Sequence, residues 1–127
     1  MSKVQTVLVV DDDRLAQTTF KLLFEVKGYQ VLLADDGNQA LAQLARHHVD
    51  LALLDILMLD KDGGEALIEI ERRLPQLHVY IMSGGGNQNK RELFSLAGKF
   101  GGAATLTRPL SPSEILDRID ADFPRAA

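Results

Sequence analysis

The sequence alternates short, wholly apolar runs with longer segments whose apolar residues recur at helical spacing. The first run, Thr6 to Val10, is β-branched and aliphatic throughout and stops at three consecutive aspartates. Apolar runs without polar alternation are typical of strands in a parallel sheet that is covered on both faces. The alternation therefore predicts an α/β protein in which each strand is followed by a helix.

Five such strand–helix units follow one another along the chain. The predicted strands are Thr6 to Val10, Gln30 to Ala34, Leu51 to Leu54, Val79 to Met82 and Ala103 to Leu106. The predicted helices are Leu15 to Val26, Gln39 to Arg46, Glu65 to Leu74, Lys90 to Lys99 and Ser113 to Phe123. Because crossovers between parallel strands are right-handed, we expect a doubly wound five-stranded parallel sheet with helices on both faces.

The first predicted helix is defined by an apolar pattern, a start signal and a stop signal. Its apolar and small residues at helical spacing are Leu15, Ala16, Thr19, Leu22, Leu23 and Val26. Asp13 precedes it and is interpreted as the N-terminal cap, where negative charge complements the helix dipole. Gly28 follows it, at the place where glycine commonly ends a helix.

Composition limits the classes of function that the chain can have. Its 127 residues are enough for one core, and we expect residues 1–127 to form a single domain. Without cysteine there is no disulfide, thiolate metal site or cysteine nucleophile. No signal segment or membrane-spanning run is evident, so we expect a cytoplasmic protein. The net charge of −4 argues against a nucleic-acid surface on this domain.

Residues with functional side chains are concentrated at the ends of the predicted strands. Asp11, Asp12 and Asp13 follow the first strand, Asp55 the third, Ser83 the fourth, and Thr107 and Arg108 the fifth. In an open parallel sheet these ends share one edge, where ligands bind near the switch point. Gathered carboxylates repel one another unless a cation neutralises them, and oxygen ligands favour a hard ion such as Mg²⁺. The pattern predicts an acidic metal site with a hydroxyl and a basic group nearby.

Four segments of the chain form a recognisable set. They are Val7 to Asp13 (VLVVDDD), Leu51 to Gly63 (LALLDILMLDKDG), Val79 to Ser83 (VYIMS) and Leu106 to Pro109 (LTRP). In this order and at this spacing they resemble the response-regulator receiver domains of bacterial two-component signalling, the family of the chemotaxis regulators. The resemblance covers essentially the whole chain. It implies a flavodoxin-like (β/α)5 fold and a single receiver domain with no output domain.

The same resemblance implies a role for each residue at the strand ends. Asp55 would be the phosphoryl acceptor, with Ser83 and Arg108 in contact with the phosphoryl group. The implied ligands of Mg²⁺ are Asp11, Asp12, Asp55 and the backbone carbonyl of Leu57. Such a chain is a phosphoacceptor module that catalyses its own phosphorylation and dephosphorylation, and it is not otherwise an enzyme.

Partners follow from the resemblance as well. The phosphoryl donor would be a histidine kinase or a phosphotransfer protein. The phosphorylated domain would signal by docking to a downstream effector protein or through an output domain missing from this sequence. We expect no membrane partner and no binding of nucleic acid by the domain itself.

Two positions depart from the family pattern and motivate a different function. Arg108 stands where the family has lysine, and arginine is a larger planar group than the compact lysine ammonium. Thr105 stands where receivers commonly carry an aromatic ring that reorients on activation. The alternative is a degenerate receiver that acts as a phosphorylation-independent interaction module. The intact Asp11, Asp12, Asp55 and Ser83 argue against it.

A flavodoxin-type redox carrier is a third class with the same expected sheet order. It would need a loop rich in hydroxyl groups and glycine after the first strand, to hold the flavin phosphate. Asp11 to Asp13 occupy that place here, and their negative charges would repel a phosphate. This class is therefore the least favoured of the three.

Overall fold

The computed structural model describes residues 4–55, 68–70, 72–83, 103–107 and 111–124, with the backbone alone for residues 83 and 103–107. The strands in these ranges are β1 (Thr6–Val10), β2 (Gln30–Ala34), β3 (Leu51–Asp55), β4 (His78–Ser83) and β5 (Ala103–Thr107). The helices with described ends are α1 (Arg14–Val26), α2 (Gly37–Arg46) and α3 (Pro112–Asp122). Residues 68–70 and 72–73 are also helical, inside the helix predicted for Glu65 to Leu74. The helix predicted for Lys90 to Lys99 lies outside the described residues.

The strands form one sheet in the order β2-β1-β3-β4-β5, and every neighbouring pair is parallel. The chain starts near the middle of the sheet, moves outward to β2, and returns across β1 to β3. The direction of winding therefore reverses between β1 and β3, which makes this boundary the topological switch point. The prediction of a doubly wound parallel sheet with helices is confirmed.

Two apolar cores cover the two faces of the sheet. Val7 and Val9 of β1 face a core that includes the buried apolar residues of α1 and α3. Leu8 and Val10 face a second core that includes Ala40 of α2. All four valine and leucine side chains are at most 1% exposed, because neighbouring residues of a strand point to opposite faces and both faces are covered.

Helix α1 ends just before Gly28, as the sequence predicts. Gly28 adopts a left-handed backbone conformation, with φ of 94°. The Gly28 N–H donates to the Glu25 carbonyl at 3.0 Å, and the Tyr29 N–H donates to the Phe24 carbonyl at 3.1 Å. These two bonds form a Schellman motif, which satisfies carbonyls that the helix itself leaves without partners.

The buried face of α1 differs from the apolar pattern that predicted the helix. Its buried residues are Gln17, Phe20 and Phe24, which follow one another at about one-turn intervals along one side. Leu15 and Val26 are instead 75% and 79% exposed, and Leu22 and Leu23 are exposed as well. The reason is that α1 is apolar on two opposite sides, and the side with the two large aromatic rings packs against the sheet.

None of the helices in the described ranges is long and apolar enough to span a membrane. The longest, α1, has 13 residues, whereas a spanning helix needs about 20. Its exposed side also carries charged residues, among them Lys21 and Glu25, which form an ion pair at 3.2 Å.

Removing the ring of Phe24 tests which side of α1 stabilises the fold. Phe24 is fully buried, with its ring centre 5.8 Å from that of Phe20 and 5.7 Å from that of Tyr29. We expect Phe24→Ala to lower the free energy of unfolding by about 3–5 kcal/mol in urea denaturation, because it leaves a cavity in the core. The matched change Leu22→Ala, on the exposed side of the same helix, should cost less than about 0.5 kcal/mol. Equal losses would contradict the observed orientation of α1.

Candidate functional site

The register of the sheet places three acidic residues in one row at the carboxyl ends of the strands. Val10 of β1 pairs with Ala34 of β2 on one side and with Leu54 of β3 on the other. The next residues along these strands are Asp11, Asp35 and Asp55. Because Asp11 and Asp55 lie on either side of the switch point, their carboxylates occupy the position where open α/β sheets bind ligands.

Asp11, Asp12 and Asp55 form a compact acidic cluster. Each of them contributes a carboxylate oxygen, and these oxygens all lie within 4.8 Å of one another. Asp11 is only 1% exposed and Asp55 only 3%, whereas Asp12 is exposed to solvent. Negative charges this close are unfavourable, and a cation bound among them would remove the repulsion. The structure therefore brings together the three aspartates that the sequence predicted as ligands.

The oxygen donors of this acidic cluster suit a hard divalent cation. Carboxylates are the preferred protein ligands of Mg²⁺ and Ca²⁺, and histidine or cysteine ligands would favour softer ions. Within the described residues, these three aspartates are the group of acidic and histidine side chains that could hold a metal ion together. The exposure of Asp12 leaves an open side for water or for a second ligand.

The three consecutive aspartates have different structural surroundings. The Asp11 N–H donates to the Ala34 carbonyl at 3.1 Å, so the backbone still follows the sheet at this residue. One oxygen of the Asp11 carboxylate accepts the N–H of Asp13 at 2.9 Å. The Asp13 side chain in turn caps α1 by accepting the Leu15 N–H at 2.9 Å. Asp13 is thus the helix cap that the sequence predicted.

The structure describes the other predicted site residues only in part or not at all. Ser83 is the last residue of β4, and its backbone pairs with Thr107 of β5 in the row next to that of Asp55 and Met82. The side chain of Ser83 lies outside the described part of the structure, as does that of Thr105. Leu57 and Arg108 lie outside it altogether. Their roles at the site remain predictions.

Gln17 and Asp35 lie near the site, and neither was singled out by the sequence. Gln17 of α1 is a buried polar side chain, and its amide nitrogen donates to Asp35 at 2.7 Å. This hydrogen bond lowers the pKa of the Asp35 carboxyl, although burial acts in the opposite direction; Arg14, whose guanidinium lies 3.2 Å from Asp35, lowers it further. A glutamine one turn before Phe20 and two turns before Phe24 was the available signal for a polar group on the buried side.

Comparison with known proteins identifies relatives of the chain. A family model described as the response regulator receiver domain matches residues 7–120. The transcriptional regulatory protein CpxR of Klebsiella pneumoniae is 37% identical over 120 residues, which cover 94% of this chain and 50% of that protein. The response regulator GtcR of Aneurinibacillus migulanus is 34% identical, over 99% of this chain and 50% of that protein. The chain spans about half the length of these curated relatives.

Solved structures of other proteins have the same fold. A receiver domain protein from Methanospirillum hungatei, described as CheY-like, has a TM-score of 0.81 and 26% identity, with 94% of both chains covered. The chemotaxis protein CheY4 of Vibrio cholerae has a TM-score of 0.78 and 20% identity, with 93% of this chain and 98% of that chain covered. At the lower identity the likeness concerns the fold alone. The predicted flavodoxin-like fold is confirmed by these structures.

Replacing Asp13 separates capping from metal binding within the three aspartates. We expect Asp13→Ala to lower the free energy of unfolding of the metal-free protein by about 1 kcal/mol, because α1 loses its N-terminal cap. Asp13→Ser keeps an acceptor at the cap and should retain most of the stability. Asp12→Ala removes a charge from the acidic cluster without removing a cap, so it should not destabilise the metal-free protein. Urea denaturation of the three variants measures the difference, and equal losses for Asp12→Ala and Asp13→Ala would contradict it.

Proposed function

The chain belongs to the response regulator receiver family, and from this premise we propose that it accepts a phosphoryl group on the side chain of Asp55. The observation that supports the proposal best is the acidic cluster of Asp11, Asp12 and Asp55 at the switch point of the sheet. A buried carboxylate at the end of a central strand is held in place by the sheet. Positioning and charge neutralisation are the main requirements of phosphoryl transfer.

In the proposed reaction a carboxylate oxygen of Asp55 attacks the phosphorus atom of the donor. A new phosphorus–oxygen bond forms, and the bond between phosphorus and the donor atom breaks, with its electron pair leaving on the donor. With a phosphohistidine donor, the departing imidazole nitrogen takes up the electron pair and can then bind a proton. The product is an acyl phosphate on Asp55, which water hydrolyses to restore the carboxylate and release inorganic phosphate.

Asp11, Asp12 and Asp55 would hold Mg²⁺ together with the backbone carbonyl of Leu57. The bound ion would supply positive charge that offsets both the carboxylates and the phosphoryl oxygens. The side chains of Ser83 and Arg108 would contact the phosphoryl oxygens from the ends of the fourth and fifth strands. Asp12 is the exposed member of the cluster, so it is the ligand most accessible to an incoming ion.

The proposed partners are a protein that donates the phosphoryl group and one that responds to it. The donor is a histidine kinase or a phosphotransfer protein, since family membership implies two-component signalling. The curated relatives are about twice as long as the matched region, and one is named a transcriptional regulatory protein. We therefore propose that residues 1–127 form one receiver domain, which acts on a separate effector or on an attached output domain.

A degenerate receiver is the second candidate function, and Arg108 and Thr105 favour it. Arginine in place of lysine changes the reach of the basic group, and threonine removes the aromatic ring that reorients in typical receivers. Beryllium fluoride, a mimic of the phosphoryl group, discriminates between the two candidates. A phosphoacceptor binds it in the presence of Mg²⁺, whereas a phosphorylation-independent module does not.

Phosphorylation from a small donor tests the leading proposal. We expect acetyl phosphate and Mg²⁺ to add one phosphoryl group to the chain, as seen by intact-mass spectrometry. Asp55→Asn should abolish the modification, because it removes the nucleophilic carboxylate. Addition of a chelator such as EDTA should suppress it in the unchanged protein. Persistent modification of Asp55→Asn would show that another residue is the acceptor.

Changing Arg108 to lysine tests the departure from the family pattern. We expect both the unchanged protein and Arg108→Lys to become phosphorylated, because either side chain supplies a positive charge near the phosphoryl group. We expect Arg108→Lys to show a larger structural response, measured as the amide chemical-shift change on phosphorylation. If only Arg108→Lys were modified under the same conditions, phosphorylation of the natural sequence would be contradicted, and the degenerate receiver would be favoured.

A further inference from the structure

Gln17 is a buried polar residue on the side of α1 that packs against the sheet. It is 4% exposed and lies among Phe20 and Phe24, which are apolar. A buried amide without hydrogen bonds is costly, so such a residue is tolerated only where it has partners. The partners of Gln17 are not in the core itself, but at the edge of the sheet next to the acidic cluster.

The amide nitrogen of Gln17 joins the ends of β1 and β2. It donates to the backbone carbonyl of Asp11 and to the carboxylate of Asp35, the latter at 2.7 Å. The carbonyl of Ala34 lies slightly farther away, at 3.3 Å. A side-chain amide has two N–H hydrogens, and the two shorter contacts account for both. Asp35 is itself held on its other side by Arg14, at 3.2 Å.

The carbonyl that Gln17 holds belongs to the peptide that links Asp11 to Asp12. Rotation of this peptide would change the direction in which the Asp12 side chain leaves the backbone. The N–H of Asp11 is bonded to β2, and its carboxylate accepts the N–H of Asp13. The bond from Gln17 therefore constrains the plane of this peptide from the α1 side.

We propose that Gln17 is a positioning residue that strengthens the binding of Mg²⁺ by orienting the peptide between Asp11 and Asp12. This inference rests on the proposed function, because it requires a cation at the acidic cluster. Groups that orient metal ligands through hydrogen bonds contribute substantially to metal affinity in other sites. Gln17 acts in the same way here, but through the backbone carbonyl of Asp11 and not through the carboxylates of the proposed ligands.

Glutamine suits this position because it donates hydrogen bonds without carrying a charge. Glutamate has the same shape, but its oxygens would repel both the Asp11 carbonyl and the Asp35 carboxylate. Lysine would donate, but its positive charge would compete with a cation at the nearby acidic cluster. A neutral donor orients the peptide and leaves the negative charge of the cluster available to the ion.

Titration of the full chain with Mg²⁺ by isothermal calorimetry tests the proposal. We expect Gln17→Met, which keeps the volume and removes the donor, to weaken Mg²⁺ binding by roughly 10-fold. Gln17→Asn keeps an amide but is one methylene too short to reach, and it should weaken binding in the same direction. Phe24→Leu is the control on the same side of the helix. It should reduce the stability of the fold but leave the Mg²⁺ affinity unchanged.

Each outcome of this titration decides the question. Unchanged affinity in both Gln17 variants would overturn the proposal and leave the phosphoacceptor function intact. Equal weakening in Phe24→Leu would overturn it too, because general loosening of α1 would then explain the loss. Absence of Mg²⁺ binding by the unchanged protein would overturn both the role of Gln17 and the proposed metal site.

Hydrogen exchange gives a second readout that needs no metal. In the metal-free protein, the N–H of Asp13 should exchange with solvent faster in Gln17→Met than in Phe24→Leu.

Discussion

The hydrogen-bonded pairing of β1 with both β2 and β3 is the constraint on which the rest of the molecule depends. β1 is buried on both faces, so its register with each neighbour is specified by two apolar cores at once. That register places Asp11 in one row with Asp35 and Asp55. Close carboxylates oppose folding, and burial of the apolar strands beneath them offsets this cost. The stability of the sheet therefore maintains an acidic edge that would not assemble by itself.

Much of this fold could be predicted because the decisive signals are local. Apolar runs located the strands, and Gly28 and Asp13 marked the ends of α1. The buried side of α1 could not be read from spacing. Leu15 and Val26 lie on one side of the helix and Phe24 on the opposite side, and either set has helical periodicity. Packing against the sheet decides between them, and that information is not local.

The candidate site was predictable to a different extent. Asp11, Asp12 and Asp55 could be placed together because parallel strands bring their carboxyl ends to one edge. Gln17 could not be found in this way, because its partners include backbone carbonyls, and these are the same at every position of a sequence. A side chain that recognises backbone leaves no complementary residue type to search for. Structure is needed to see which peptide it meets.

The two-sided apolar character of α1 has a consequence for how the chain reaches its native state. During early collapse, the helix can lie on the nascent sheet with either side inward, since both sides bury hydrocarbon. The arrangement with Leu15 and Val26 inward would be a compact trap, because it would leave Phe20 and Phe24 in water and Gln17 far from its backbone partners. Frustration of this kind roughens the folding landscape. The aromatic contacts of Phe24 with Phe20 and Tyr29 bias the search towards the productive arrangement.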